Sequence, residues 1–286
     1  MTFSIVGADL RVGDWGVAVA SKFPAVGHIV PWAKAGVGAV ATQAWANTSY
    51  ASEGLALMGN GISARQTLDR LISGDPGRED RQLGLVDGRG RGATFTGTKC
   101  AEWAGGVSGD GFACQGNILV GEQVIASMAD AFGRADGDLV DRLLSALIAG
   151  DVVGGDRRGR QSAALLVVRA GGGYEGHNDR YVDVRVDDHP QAVSELARVF
   201  SVVDHELLVR DDPLVPADAE LVAEIQRRLQ HRGDYTGHET GVLDLPTRRA
   251  LAKFAGEFNL EARLRDDDQL SKTLVRDLRD LTSEIA

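Results

Sequence analysis

Two stretches near the start, Thr2-Phe-Ser-Ile-Val-Gly-Ala-Asp9 and Gly16-Val-Ala-Val-Ala-Ser21-Lys22, decide how this chain folds. Both are rich in β-branched and small apolar residues, and they read as strands over Phe3 to Ala8 and Trp15 to Ala20. The second ends on a polar pair, Ser21-Lys22. If the two strands run antiparallel, that pair arrives beside Thr2, so one end of the pairing collects hydroxyls and a cation.

Further short β-rich runs follow: His28 to Pro31, Gly38 to Trp45, Gln82 to Val86, Ala93 to Thr96, Phe112 to Ile118, Ala163 to Arg169 and Tyr181 to Val186. Helical periodicity marks Ser63 to Ile72, Gln123 to Phe132, Leu139 to Ala149 and Gln191 to Phe200. Strands come in groups and helices in pairs, which argues against regular βαβ alternation. The pattern predicts antiparallel sheets covered by helices, an α+β layered domain.

Glycine divides the chain. Of 36 glycines only Gly233, Gly237, Gly241 and Gly256 lie beyond residue 210. Arg210-Asp-Asp-Pro213-Leu-Val-Pro216 reads as an exposed linker, giving an expected first domain over 1–210 and a small helical domain over 211–286. In the latter, Leu221, Ile225 and Leu229 share one face of a helix over Ala219 to Gln230, a second helix starts at Leu245-Pro246, and a third runs from about Leu270 to Ile285.

A net charge of -10 repels polyphosphates and makes nucleic acid an unexpected partner. Cys100 and Cys114 cannot build a disulfide framework or a structural zinc site, so no cofactor or metal is expected and the reducing cytoplasm is the default compartment. No basic flank precedes an apolar run at the start, and no run approaches a membrane span. Edge strands of such sheets often pair between copies, which suggests a homodimer.

Thr2 carries the most informative chemistry. Initiator methionine is usually trimmed before a small residue, and trimming leaves a threonine with both a hydroxyl and a free α-amine. An amine of pKa about 7.7–8.0 is substantially neutral at physiological pH and can take the hydroxyl proton directly or through water. Lys22 would favour the free base by placing a cation nearby. Gly36 and Gly38 are candidates for an oxyanion hole, because glycine lets backbone N–H groups approach a ligand closely.

The blocks Thr2-Phe-Ser-Ile-Val, Gly16-Val-Ala-Val-Ala-Ser-Lys, Ala35-Gly-Val-Gly-Ala-Val-Ala-Thr-Gln-Ala-Trp45-Ala-Asn47, Asp75-Pro-Gly-Arg78, Arg81-Gln-Leu-Gly, Gln115-Gly-Asn117 and Gly154 to Val168 occur in that order. Together they resemble a bacterial family, domain of unknown function 1028, which belongs to the N-terminal-nucleophile hydrolase superfamily with the proteasome subunits. The resemblance covers roughly residues 2 to 205 and implies a four-layer αββα sandwich. It places the nucleophile at Thr2 and likens Asp156 and Ser162 to the late Asp-to-Ser segment that steadies the amine. The superfamily's lysine sits nearer His28 or Lys34, so Lys22 is the weaker match. The tail resembles a peptidoglycan-binding-like domain appended to this family.

Gln43, Asn47, Arg81, Gln82, Gln115, Asn117, Arg160 and Gln161 fall at strand ends and read as the lining of a pocket for a small polar or anionic substrate. With Thr2, Ser21, Lys22, Asp156 and Ser162 as the catalytic set, the chain reads as an amidohydrolase for a small polar amide or peptide-like metabolite. Two alternatives stand beside it. One is a binding or scaffold protein on the same sandwich; the other is a metal-dependent hydrolase using His177, Asp179 and His189. Gly154-Gly155-Asp156-Arg157-Arg158-Gly159 lacks the Lys-Ser/Thr ending of a phosphate loop.

Overall fold

In the computed structural model, which describes residues 2–210 and 212–283, the opening octapeptide forms β1 (Thr2–Asp9), antiparallel to β2 (Asp14–Ser21). Both strands are buried throughout, so each needs cover on two faces. The chain continues through β3 (Pro31–Lys34), β4 (Gly38–Ala44), α1 (Ser49–Gly59), α2 (Ala64–Ser73), β5 (Arg81–Asp87), β6 (Gly92–Thr96), β7 (Gly105–Gly109) and β8 (Phe112–Asn117). It then forms α3 (Gln123–Arg134), α4 (Leu139–Val152), β9 (Ser162–Arg169), β10 (Arg180–Val186) and α5 (Ala192–Glu206).

The strands make two antiparallel sheets, ordered β10-β9-β2-β1-β8-β7 and β3-β4-β5-β6. Val6, Val17, Val19, Ala39, Ala41, Val86 and Leu166 fill the space between them. Tyr50, Met58, Leu68 and Leu71 of α1 and α2 bury the outer face of the second sheet against Val40, Leu83 and Leu85. On the first sheet, Gly7 admits Phe132 of α3 and Leu139 and Leu143 of α4 close to its backbone. The layers are therefore helix, sheet, sheet, helix, an α+β sandwich of four layers.

Local physics explains where this differs from the sequence reading. The run His28 to Pro31 is not a strand; Val26–His28 is a 3₁₀ turn and β3 begins at Pro31. Proline has no N–H to give a ladder, which suits the first residue of an edge strand. α1 lacks a strong apolar stripe because two residues of its buried face, Ala51 and Gly54, are small, with Gly54 lying against Val40, Leu71 and Leu85. β7, Gly-Gly-Val-Ser-Gly, has little β propensity of its own and is held as an edge by pairing with β8.

The chain divides into one unit up to Val199 and another from Phe200 on. In the second, the proline-flanked stretch expected as a linker forms β11 (Leu214–Pro216), paired with β12 (Gln269–Ser271). Around this ribbon stand α6 (Ala219–Arg232), α7 (Leu245–Glu257) and α8 (Lys272–Leu281). Ile225, Leu229, Phe254, Leu274 and Leu278 form its core. The end of the expected third helix at Ile285 lies outside the described residues. No helix among the described residues is long and apolar enough to cross a membrane.

Candidate active site

Strand register places the sequence-predicted hydroxyls in one row. Asn117 on β8 is the Cα partner of Thr2 on β1, and Ser21 on β2 is the partner of Ser162 on β9. β1 and β2 are neighbours, and the Thr2 and Ser21 hydroxyl oxygens lie 3.1 Å apart. Asn117, Thr2, Ser21 and Ser162 therefore line up across four adjacent strands. By the two-residue period they share the face turned to the second sheet. In the next row Gln115 and Ser4 are polar while Val19 and Ala164 are apolar; beyond it, Ala113, Val6, Val17 and Leu166 are all apolar. The space between the sheets is thus polar at the Thr2 end and apolar at the other.

The second sheet answers with Gln43 on β4, paired in register with Gln82 on β5. The Gln43 side-chain amide Nε2 donates to the Thr2 carbonyl at 3.3 Å and to Gln82 Oε1 at 2.8 Å. Its Oε1 accepts from Ser4 Oγ at 2.6 Å, and Ser4 Oγ accepts from Gln115 Nε2 at 2.7 Å. Gln82 Oε1 also accepts from Asn117 Nδ2 at 2.9 Å, while its Nε2 reaches the Gly116 carbonyl at 2.7 Å. All of these side chains are essentially sealed from solvent. Ser4 was not among the expected residues, although it follows Thr2 at the strand period and shares its face.

Asp156 and Ser162 are near, but their polar atoms hold a loop. Asp156 Oδ2 accepts from the Lys22 backbone N–H at 2.9 Å, and its carboxylate takes Arg158. Ser162 Oγ donates to the Phe23 carbonyl and accepts from the Val26 N–H at 3.0 Å. Both side chains thus fix the segment that leaves β2. The Lys22 ammonium points outward, 3.4 Å from the Arg160 carbonyl. His28 and Lys34 are exposed too, and Lys34 pairs with Gly38 at the opposite end of the sandwich.

Residues 2–196 match the family of unknown function DUF1028. The chain belongs to that family. Another DUF1028 protein, SPO2555 from Silicibacter pomeroyi, has a crystal structure to which this chain is 30% identical, with a TM-score of 0.65 over 71% of this chain and 89% of that one. Residues 207–278 match a family described as "Putative peptidoglycan binding domain". No curated protein matches the chain.

At the rim of this DUF1028 fold, Arg81 Nε pairs with Asp75 at 3.0 Å, and Tyr50 donates to the same carboxylate at 2.7 Å. The Tyr50 hydroxyl, then the Arg81 guanidinium and the Gly77 N–H, pull the Asp75 pKa down to about 2. Asn47 Oδ1 receives the Ser49 N–H at the start of α1. Arg160 is bound to Asp151 at 2.7 Å, and Gln161 Nε2 to Asp188 at 3.1 Å. These four residues are engaged in internal bonds.

Two expectations are corrected by topology. Gly36 lies in the β3–β4 turn and Gly38 opens β4 opposite Asp87, whereas Gln43, near Thr2, is five residues further along the strand. At about 3.3 Å per residue they stand roughly 16 Å from the Thr2 end, too far for an oxyanion hole there. His177 and Asp179 precede β10 and His189 follows it, so the strand separates them by roughly 20 Å and they form no common ligand set.

Strain marks the same end. Ala25, Ala44 and Ile118 adopt left-handed φ values of 50°, 65° and 50°, and each follows shortly on Ser21, Gln43 or Asn117. Such conformations cost about 1–3 kcal/mol apiece and persist where surrounding structure imposes them, commonly at functional sites.

Proposed function

We propose that this DUF1028 chain is an amidohydrolase of the N-terminal-nucleophile type, with Thr2 as nucleophile once Met1 is removed, acting on a small polar amide or peptide-like metabolite. The observation that carries this reading is the row of Asn117, Thr2, Ser21 and Ser162 at the polar end of the space between the sheets, with the Thr2 and Ser21 hydroxyls 3.1 Å apart. The freed α-amine accepts the Thr2 hydroxyl proton while Oγ1 attacks the amide carbonyl carbon. The protonated amine then returns that proton to the departing nitrogen, leaving an ester on Thr2 that water hydrolyses. Ser21 orients the Thr2 hydroxyl. Gln43 holds the Thr2 carbonyl, and Asp156 and Ser162 act as positioning residues through the Lys22–Val26 segment.

Intact-mass measurement of untagged protein tests the prerequisite, with loss of one methionine as the expected result. A β-lactone electrophile should then add once, at Thr2, and the adduct should persist in Thr2→Ser and vanish in Thr2→Ala. Retained methionine, or an adduct elsewhere, overturns the reading.

For the second unit we propose a binding role. Its groove of about 590 Å³ is lined by apolar Val215, Leu221 and Val275 and by Lys272, Arg276 and Arg279; Arg279 is paired with Glu224 and Arg276 with Asp277, so Lys272 is the cation offered to a ligand carboxylate. Sedimentation of residues 200–286 within the full chain on purified peptidoglycan, against Lys272→Ala, tests it; equal recovery of both proteins in the supernatant refutes it.

A further inference from the structure

Thr2, Ser21 and Asn117 are buried, none more than 5% exposed, so nothing reaches the polar row unless a segment beside it moves. The segment that crosses this end of β1 is the connection between α4 and β9. On one side it is tied to the chain leaving β8: the Arg157 N–H donates to the Ile118 carbonyl at 3.2 Å, and the Val120 N–H to the Gly155 carbonyl at 3.1 Å. On the other it is tied to the chain leaving β2. There Asp156 Oδ2 accepts the Lys22 N–H at 2.9 Å, and the Gln161 N–H donates to the Ser21 carbonyl at 3.1 Å. β1 lies between β8 and β2, and Thr2 is its first residue. The connection therefore passes over the start of β1 like a strap. It lies close: a Cβ at Gly155 would stand 2.9 Å from the Phe3 ring. Phe3, Ser21, Asp156 and Gly159 line a void of about 10 Å³, no larger than one water.

What pins a segment is the apolar surface it buries. Residues 22–30 insert Val26 and Val30 between the sheets, and the chain leaving β8 buries Leu119. The strap, Gly154-Gly-Asp-Arg-Arg-Gly-Arg160, has no apolar side chain to bury. The residues it does bury are Gly155 and Asp156, and opening returns that carboxylate to water, which offsets the bonds it loses. Gly154 and Gly159, at either end of the crossing, hold φ values of 116° and 109°, which residues with a side chain rarely adopt. Beyond the second, Arg160 stays fixed to Asp151 of α4 at 2.7 Å. Hinges of moving loops are a few such positions that absorb the change in φ and ψ.

Resting on the reading of Thr2 as nucleophile, we propose that residues 154–159 form a lid over the Thr2 end, hinged at Gly154 and Gly159 and latched by Asp156 on the Lys22 N–H. Closed, the lid keeps bulk water from the hydroxyl row. Open, it uncovers the end of β1 from which the freed α-amine emerges, so substrate enters along the strand axis.

Accessibility is measured independently of hydrolysis, in the full chain carrying Thr2→Cys, as the rate of alkylation by iodoacetamide at residue 2, located by peptide mass. Cys114, fully buried in β8, is the internal reference for global unfolding. The thiol at residue 2 should react at least about 100-fold faster than Cys114 and well below the rate of the unfolded chain, with no dependence on urea below the unfolding transition. Gly159→Ala strains the closed backbone and its methyl group meets nothing within 4 Å, so it should raise this rate about tenfold. The Arg157 and Val120 amides should exchange with deuterium faster by the same factor. Alkylation no faster than at Cys114, alkylation at the unfolded rate, or a rate unchanged by Gly159→Ala overturns the lid. If the lid passes and the lactone leaves Thr2 unlabelled, the lid stands and the nucleophile reading falls.

Discussion

Gly84 shows how tightly the polar end is built. A Cβ at that position would lie 2.0 Å from Gln115 Oε1, so the absence of a side chain is what lets the glutamine amide lie between the sheets. Among the described residues Gln115 Oε1 has no hydrogen-bond partner, and it lies against Gly84. Gly84→Ala should therefore destabilise the first unit by about 1–3 kcal/mol, read as a lower urea midpoint. Gln43→Leu removes the donor to the Thr2 carbonyl and one partner of Ser4 and Gln82. Buried polar groups left unpaired cost about 1–3 kcal/mol, and the same change should slow acylation of Thr2 by the lactone. A variant as stable and as reactive as the parent would show that the network is dispensable. Gln43, Gln82 and Gln115 were legible as strand-end amides. That Gln43 bonds Gln82 and Ser4, and Gln115 bonds Ser4, was not, because side-chain partners depend on which strands the fold brings face to face.

At the level of elements, β1, β2, β8 and β9 were readable because alternation and turn residues mark them directly, and the antiparallel pairing of the first two already put Thr2 beside Ser21. The oxyanion glycines failed for a related reason. Sequence places Gly36 and Gly38 on the strand that carries Gln43 but does not say which end of a hairpin faces the site. Lys22 failed because one residue past a strand end the side-chain direction is free, and the ammonium turns to solvent. The loop that carries Asp75 braces Arg81, and its charge gives a pH test. With a pKa of about 2 in the fold and about 3.9 unfolded, Asp75 contributes fully above about pH 4, and the contribution disappears as pH falls through about 2. The stability difference between the parent and Asp75→Asn should be plain at pH 5 and mostly lost at pH 2. A difference that does not change with pH would show that the carboxylate charge is not what holds the loop.

Across the whole molecule, composition separated a glycine-rich β part from a helical tail. Two prolines suggested a linker, but Pro213 precedes and Pro216 ends a short strand of a two-stranded ribbon, where a missing N–H costs little. In the second unit, Arg279, with Arg228 beside it, outweighs burial and draws the Glu224 pKa down to about 2. That stabilisation is complete above about pH 4.3 and is lost as pH falls toward 2. Glu224→Gln should lower the stability of this unit at pH 7 by on the order of 1 kcal/mol once screening of a partly exposed pair is allowed for, and by much less at pH 2. Calorimetry at both values checks it.

The β11–β12 ribbon joins residues 214–216 to 269–271, so positions more than fifty apart along the chain meet at a single seam. A backbone cut among residues 236–241, between α6 and α7, would leave both fragments clasped by that seam and by Gln226, whose amide bonds Thr240 and Thr247.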